Sequence, residues 1–329
     1  MKAFVIEAGE LVVKDMSQPK PGKGEAIVAL KTAGLNRRDL NLKRRHGNQP
    51  EPLIIGSDGA GVVEAVGDGV TNVAVGDEVI INPSLRWFEK SAAPPAEFDI
   101  LGLPDNGTFA EKIAISAEQL EQKPAHLTWE EAGGLALAAL TGYRAMFTQG
   151  SLQKGQTVFI PGAGSGVATY LIQFAKNIGA RVIVSSRSEE KRKHALETGA
   201  DRAIANDADW KQELADERID LVIDSVGRAT FNRSLNVLKK GGRIVIFGAT
   251  TEDNVDFDLR SFFYGQYQLL GTTMGSREEL REMIKHVNKY GMHPVVDRTF
   301  PLEQAQEAFD HLAEGAQFGK VILVMNPEK

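Results

Sequence analysis

Cysteine is absent from this chain, and its absence excludes disulfides, thiolate nucleophiles and every cysteine-ligated zinc site. Long apolar runs are missing too. No stretch approaches the ~20 residues that a membrane-spanning helix needs, and no charged segment leads into an apolar one at the start as in a secretory signal. A cytoplasmic protein without a membrane partner is therefore expected. There is also no excess of positive charge: 38 Lys and Arg stand against 44 Asp and Glu, a formal charge of -6, which argues against nucleic acid or anionic lipid as a partner. What remains is the composition of a globular protein, 329 residues with 42% hydrophobic and 25% charged, long enough for about two domains.

The first 125 or so residues show no helical periodicity. Short β-rich runs such as Ala3-Phe4-Val5-Ile6, Ala26-Ile27-Val28-Ala29-Leu30 and Val79-Ile80-Ile81 alternate with Gly- and Pro-containing turns, the pattern of an irregular, mostly β domain. Residues 84–107 form a polar segment long for a compact domain, and loops of that size are usually functional or mobile. Thr128-Trp129-Glu130-Glu131 has capping-box spacing and opens an Ala-rich run, predicting a helix to Phe147. Strand and helix patterns then alternate from Thr157 to Phe247. Repeated βα units predict a parallel sheet with ligands at the carboxyl ends of its strands. The tail adds a strand at 268–271, helices over 278–289 and 302–312, and a final strand at 320–324.

The first βα unit carries Gly162-Ala163-Gly164-Ser165-Gly166-Val167-Ala168 between the strand and the helix. Glycines let backbone approach a pyrophosphate, and a helix N-terminus offers unpaired N–H groups and partial positive charge. After the second strand, where NAD-binding folds place an acid for the ribose 2′-hydroxyl, the sequence reads Ser185-Ser186-Arg187-Ser188, with Lys191 one turn on. Hydroxyls and cations there suit a 2′-phosphate, so NADP is expected, held by Ser186, Arg187 and Lys191.

Several motifs at ordered spacing extend the reading: Ala33-Gly34-Leu35-Asn36-Arg37-Arg38-Asp39, Gly56-Ser57-Asp58-Gly59-Ala60-Gly61, Val75-Gly76-Asp77-Glu78-Val79, Gly107-Thr108-Phe109-Ala110-Glu111, Ala138-Ala139-Leu140-Thr141-Gly142-Tyr143, Asp220-Leu221-Val222-Ile223-Asp224-Ser225-Val226-Gly227 and Gly241-Gly242-Arg243-Ile244-Val245-Ile246-Phe247-Gly248. Over nearly its whole length the chain resembles the medium-chain dehydrogenase/reductase superfamily, in the zinc-type alcohol dehydrogenase-like and quinone oxidoreductase branch. The resemblance implies an α/β architecture: a Rossmann doubly wound cofactor domain at 127–268, and a GroES-like, mostly β catalytic domain at 1–126 and 269–329. It also implies cofactor contacts at Thr141, Ser225, Val226, Phe247, Gly248 and Lys320 as well as the glycine loop, and a homodimer formed by edge pairing of cofactor-domain sheets near 262–270.

The same resemblance shows what is missing. The positions of the catalytic zinc ligands hold Asn36, Ser57 and Leu137, the segment 84–107 stands where a four-cysteine structural zinc lobe would be, and the proton-relay histidine is replaced by Asn41. Neither zinc site is expected. Without a Lewis acid, simple alcohol oxidation is disfavoured. Hydride addition to an electron-poor quinone or α,β-unsaturated carbonyl needs less help, because the substrate delocalises the charge and one or two hydrogen-bond donors steady the oxyanion. Asn36 is the candidate donor or a contact to the nicotinamide ribose, against the alternative that it only satisfies loop backbone. Two further readings stay open: an alcohol dehydrogenase or carbonyl reductase with another general acid, and an NADPH-binding protein without turnover. Arg37 and Arg38 are weaker candidates for an anion, with Asp39 as the competing partner. His46, among Lys43, Arg44 and Arg45, is a weak candidate to supply a proton, since a lone histidine in a charge run is usually solvated surface. Trp87, Phe88, Phe262, Phe263 and Tyr264 read as a flat-substrate pocket, core or subunit contact.

Overall fold

The computed structural model describes residues 1–325. They form two compact units, one of residues 1–140 together with the chain from Gly275 onward, the other of Thr141–Met274.

In the first unit a seven-stranded sheet runs in the order Leu120–Gln122, Glu78–Ile81, Ala60–Val66, Glu25–Gly34, Lys320–Val324, Val296–Pro301, with Lys112–Ser116 also paired to Glu25–Gly34. A smaller sheet joins Glu10–Asp15, Lys2–Glu7 and Leu53–Ile54. Alternating apolar residues of these strands, among them Phe4, Ile6, Val28, Leu30, Val63, Ile81 and Leu323, close on one core. The C-terminal strand returns to pair antiparallel with the first long strand, setting Ile322 opposite Gly34. That long strand is also met by the helix Trp129–Gly133. A Cβ on Gly34 would sit 2.7 Å from Gly133 O and 2.8 Å from Gly134 Cα, so only glycine permits this approach of backbone to backbone.

The helix foreseen over 128–147 is interrupted. The Thr128–Glu131 capping box forms as its spacing requires, but the helix stops at Gly133, resumes as Ala136–Tyr143 and passes into a π-helical turn over Arg144–Gln149. Paired glycines carry the lowest helix propensity short of proline, and here close packing demands them, Gly133 against Thr32 and Gly134 against Lys320 and Ile322. Two elements had no clear sequence signal. The strand Val296–Pro301 is largely exposed over Asp297-Arg298-Thr299, so apolar alternation is weak; the helix Leu259–Gly265 is short and largely exposed.

The second unit is a six-stranded, all-parallel sheet in the order Arg202–Ala205, Arg181–Ser186, Thr157–Pro161, Ile219–Asp224, Leu238–Ile246, Gln268–Gly271. Its central strands are continuous apolar runs: Val182, Ile183, Val184, Leu221, Val222 and Ile223 are all buried, as expected of strands covered on both faces. The helices Gly166–Asn177, Glu189–Thr198 and Arg228–Val237 make the crossovers. The first strand of this unit in chain order, Thr157–Pro161, lies between its second and its fourth. Strand order reverses there, and the crevice beyond the carboxyl ends at such a point is where open α/β sheets bind ligands.

Candidate active site

Most of the candidate cofactor residues meet at that crevice. Gly162 and Ala163 N–H groups both donate to Ser185 O, at 3.0 and 2.8 Å, which folds the glycine loop across the end of the neighbouring strand. Gly164 has φ +109°, and a Cβ there would lie 2.8 Å from the Lys191 stem. Ser165 caps the helix Gly166–Asn177 by accepting from Ala168 N. Gly166 and Val167 then begin a helix long enough for its unpaired N–H groups to face an anion. Ser186 Oγ accepts from Ser188 N at 3.3 Å, while Arg192 Nη1 donates to Ser186 O at 2.8 Å. Arg192 therefore fixes the backbone, and Arg187 stands exposed beside it.

On the other side of the switch point, buried Asp224 organises the next strand end. Its Oδ1 accepts from Val226 N (2.7 Å), Gly227 N (3.3 Å) and Thr230 Oγ1 (3.0 Å), and its Oδ2 accepts from Ser234 Oγ (3.2 Å). This sets the turn that presents Ser225 and Val226, and Thr250 N and Thr251 N donate to their carbonyls. Phe247 and Gly248 lie just past the end of the adjacent strand, with Phe247 N donating to Asp224 O. Thr141 is buried, and beside it a Cβ on Gly142 would contact Val167 at 3.5 Å. Asp224 and Arg192 escaped the sequence reading. An acid closing an apolar strand before a glycine turn was the available signal for Asp224; nothing local marks Arg192.

A second polar cluster lies inside the first unit. Lys320, only 2% exposed, donates to Leu35 O (2.8 Å), Asn36 Oδ1 (2.7 Å) and Asp58 Oδ2 (3.1 Å). Asp58, fully buried, also accepts from Asn36 Nδ2 at 3.0 Å and from Leu137 N at 2.6 Å. Ser57 Oγ donates to Leu101 O at 2.7 Å and accepts from Arg38 Nη1 at 2.6 Å. Asn36 thus lies in a network of side chains rather than merely against loop backbone, and Lys320 lies in that same network. Asn41 is exposed ahead of the short helix Leu42–His46, and among the described residues no side-chain hydrogen bond ties it to the cluster. His46 is half-buried, Arg37 exposed and Trp87 fully buried as a core residue.

These residues do not suit a zinc ion. Leu137 offers no side-chain donor, Ser57 and the Asn36 oxygen are engaged, and an ammonium already sits among them. Zinc needs His, Cys or carboxylate ligands, and among the described residues no group of three or more His, Cys, Asp or Glu is placed to hold a metal.

Against this geometry, similarity to known proteins is extensive. The zinc-binding dehydrogenase family matches residues 166–289 and the alcohol dehydrogenase GroES-like domain residues 22–125. A zinc-type alcohol dehydrogenase-like protein of Leptosphaeria maculans is 32% identical over 94% of this chain and 92% of its own length. An acryloyl-coenzyme A reductase of Sulfurisphaera tokodaii is 30% identical over 98% of this chain and 99% of its own. Among solved structures, an NAD-dependent alcohol dehydrogenase superposes with TM-score 0.91 at 34% identity, covering 99% of this chain and 100% of that one. A 2-octenoyl-CoA carboxylase reductase in complex with NADP and 2-octenoyl-CoA gives 0.89 at 26%, covering 100% and 88%. The chain belongs to the medium-chain dehydrogenase/reductase superfamily, among the zinc-type alcohol dehydrogenase-like proteins, and is an oxidoreductase. No helix of the described residues is long and apolar enough to cross a membrane.

The carboxyl of Asp39 gives the first unit a pH dependence. Its Oδ2 accepts from Asn36 N at 2.8 Å, while Arg38 stays 3.8 Å from Oδ1. Burial pushes this carboxyl up to about 6, against the opposing pull of Arg38 and the Asn36 N–H. With its folded pKa above the unfolded value, Asp39 favours the fold most at low pH, and that contribution is lost as pH rises from about 4 through 6. A difference of that size between folded and unfolded chain corresponds to about 3 kcal/mol. Urea unfolding of wild type and Asp39→Asn should show the wild type losing about that much relative to the variant between pH 4 and 7; a pH-independent difference contradicts the assignment.

Proposed function

We propose that the protein is a zinc-independent, NADPH-dependent reductase of α,β-unsaturated carbonyl compounds. The observation that carries this reading is the combination of a glycine loop and helix start at the switch point of the second unit with a cluster in the first where an ammonium and a carboxylate, not a set of metal ligands, meet Asn36. Relatives named for acryloyl-coenzyme A and 2-octenoyl-CoA favour a conjugated carbonyl over a quinone. The relative named an NAD-dependent alcohol dehydrogenase favours the competing alcohol or carbonyl reading, but that chemistry leans hardest on the Lewis acid for which ligands are lacking here.

For the cofactor, the exposed Arg187 guanidinium, the Ser186 hydroxyl and Lys191 beside the glycine loop form a 2′-phosphate site, and the strand end carries no acid to oppose it. The glycine loop and the helix beginning at Gly166 hold the pyrophosphate. When bound, NADPH would supply a hydride to the β-carbon of the acceptor, and the electron pair of the former double bond would be held as an enolate until the α-carbon takes a proton from water. Asn36 is assigned to the developing oxyanion. One of its amide hydrogens is committed to Asp58, whereas the other makes only a 3.4 Å contact to Gly34 O, too long for a strong hydrogen bond, and is the one it has to offer. Asn41 keeps a weaker claim from its place in the sequence.

A homodimer is part of the proposal. Gln268–Gly271 is an unpaired edge of the parallel sheet, and around it Leu259, Phe263, Tyr264 and Leu269 are exposed at 42–69%. An apolar edge of this kind is normally covered. The cytoplasm remains the expected compartment, and charge and composition argue against nucleic acid and membranes as partners.

Purified protein with NADPH should reduce short enones or enoyl thioesters at a rate unchanged by chelator, with little oxidation of simple alcohols; chelator-sensitive alcohol oxidation overturns the proposal, and NADPH binding without turnover on any acceptor favours a sensing role. Arg187→Ala should weaken NADPH on the order of tenfold or more while leaving NADH nearly unaffected, the loss expected for a charge-assisted pair; equal effects on both exclude the 2′-phosphate site. Leu269→Asp should sediment as a monomer where wild type sediments as a dimer, and monomeric wild type removes the edge assignment.

A further inference from the structure

We propose that Lys320 and Asp58 form a buried clamp that positions Asn36, an internal cation doing in this chain what a metal ion does in a metal-tethered site. This inference rests on the functional reading of Asn36 above. An ammonium has three hydrogens to donate, and Lys320 has three acceptors, Leu35 O, Asn36 Oδ1 and Asp58 Oδ2, within 2.7–3.1 Å. Because the Asn36 oxygen faces the ammonium and its nitrogen faces the carboxylate, the amide has one permitted orientation. Flipping it would set nitrogen against ammonium and oxygen against carboxylate.

The node joins four distant segments: Asn36 with Asp58, Asp58 with Leu137, and Lys320 with both Asn36 and Asp58, across sequence separations of 22, 79, 284 and 262 residues. The path of the lysine stem is also built. A Cβ on Gly34 would lie 3.2 Å from Lys320 Cε, and one on Gly134 would lie 3.2 Å from its Cβ and Cγ, so two glycines from different segments clear the space through which the side chain reaches the node. A methionine would fill that space equally well. Buried ion pairs are seldom more stabilising than an apolar replacement of the same shape, and what they do contribute in attested cases is a unique arrangement. Here the arrangement is the direction of the Asn36 amide.

The test uses the full chain as Lys320→Met, Asp58→Asn and the double variant, with three readouts. Each single variant should lower the thermal midpoint, and the double variant should recover much of it because no buried charge is left unpaired. In the double variant kcat with an enone should nonetheless stay down on the order of a hundredfold, as misplacement of a reacting group by an ångström produces, with the Kd for NADPH within about threefold of wild type, because the three hydrogens of Lys320 are spent on Leu35, Asn36 and Asp58 rather than on the cofactor contact expected of it from the sequence. Recovery of wild-type kcat together with the midpoint overturns the positioning role. Selective ¹⁵N-asparagine labelling reads the clamp without turnover: the Asn36 amide resonances, assigned by their loss in Asn36→Ser, should exchange slowly in wild type and fast in Lys320→Met. Unchanged exchange overturns the clamp even if the enzyme is active; protected amides in a wild type that turns over no acceptor support the clamp and overturn the functional reading instead.

Discussion

A lysine ammonium cannot be withdrawn from water unless its hydrogens are accepted and its charge is balanced, and much of the first unit is what meets that demand around Lys320. The C-terminal strand brings the side chain in, the end of the first long strand supplies Leu35 O and Asn36, the turn after Ile55 supplies Asp58, and the N–H of Leu137 completes the carboxylate. The contacts are interdependent. Removing either charge alone leaves the other buried without a partner, a loss of about 3–5 kcal/mol in comparable pairs. Glycine at 34, 133 and 134 is part of the same constraint, because strand, helix and lysine stem all pass within van der Waals range of one another there.

The second unit solves a different problem, that of presenting backbone N–H groups to an anion. Its solution is topological: the strand order reverses at Thr157–Pro161, so the loops on either side diverge and leave a crevice. Two buried or half-buried groups that touch no nucleotide in this account hold the loops in place, Asp224 beneath Ser225 and Val226 and Arg192 beneath Ser186. Asp224 spends both oxygens on backbone and hydroxyl donors. The flexibility glycine provides in the phosphate turn is thereby confined to the turn itself.

The βα alternation and the glycine loop were legible because their signals are local and strong: continuous apolar runs alternating with helical patterns, and glycines clustered between the first such run and its helix. The absent zinc ligands were legible as an absence. The Lys320–Asp58 pair was not, because its members are 262 residues apart and each alone reads as an ordinary charged residue; only the antiparallel pairing of the last strand with the first long one brings them together. For the same reason Asn36 was recognisable as a candidate but not as a residue whose amide is already oriented. The helix over 128–147 was foreseen as continuous because alanine-rich propensity outweighs two glycines in isolation, whereas in the fold their close packing decides.

At the centre of the proposed function is delivery of hydride to the β-carbon of a conjugated carbonyl without a metal. The most direct measurement is a turnover with NADPH deuterated at the transferred position of C4, on protein whose metal content has been determined. Deuterium at the β-carbon of the saturated product, from protein carrying far less than one zinc per chain, is the predicted result. Deuterium on the carbonyl carbon of an alcohol product, formed only by protein carrying about one zinc per chain, would contradict the account.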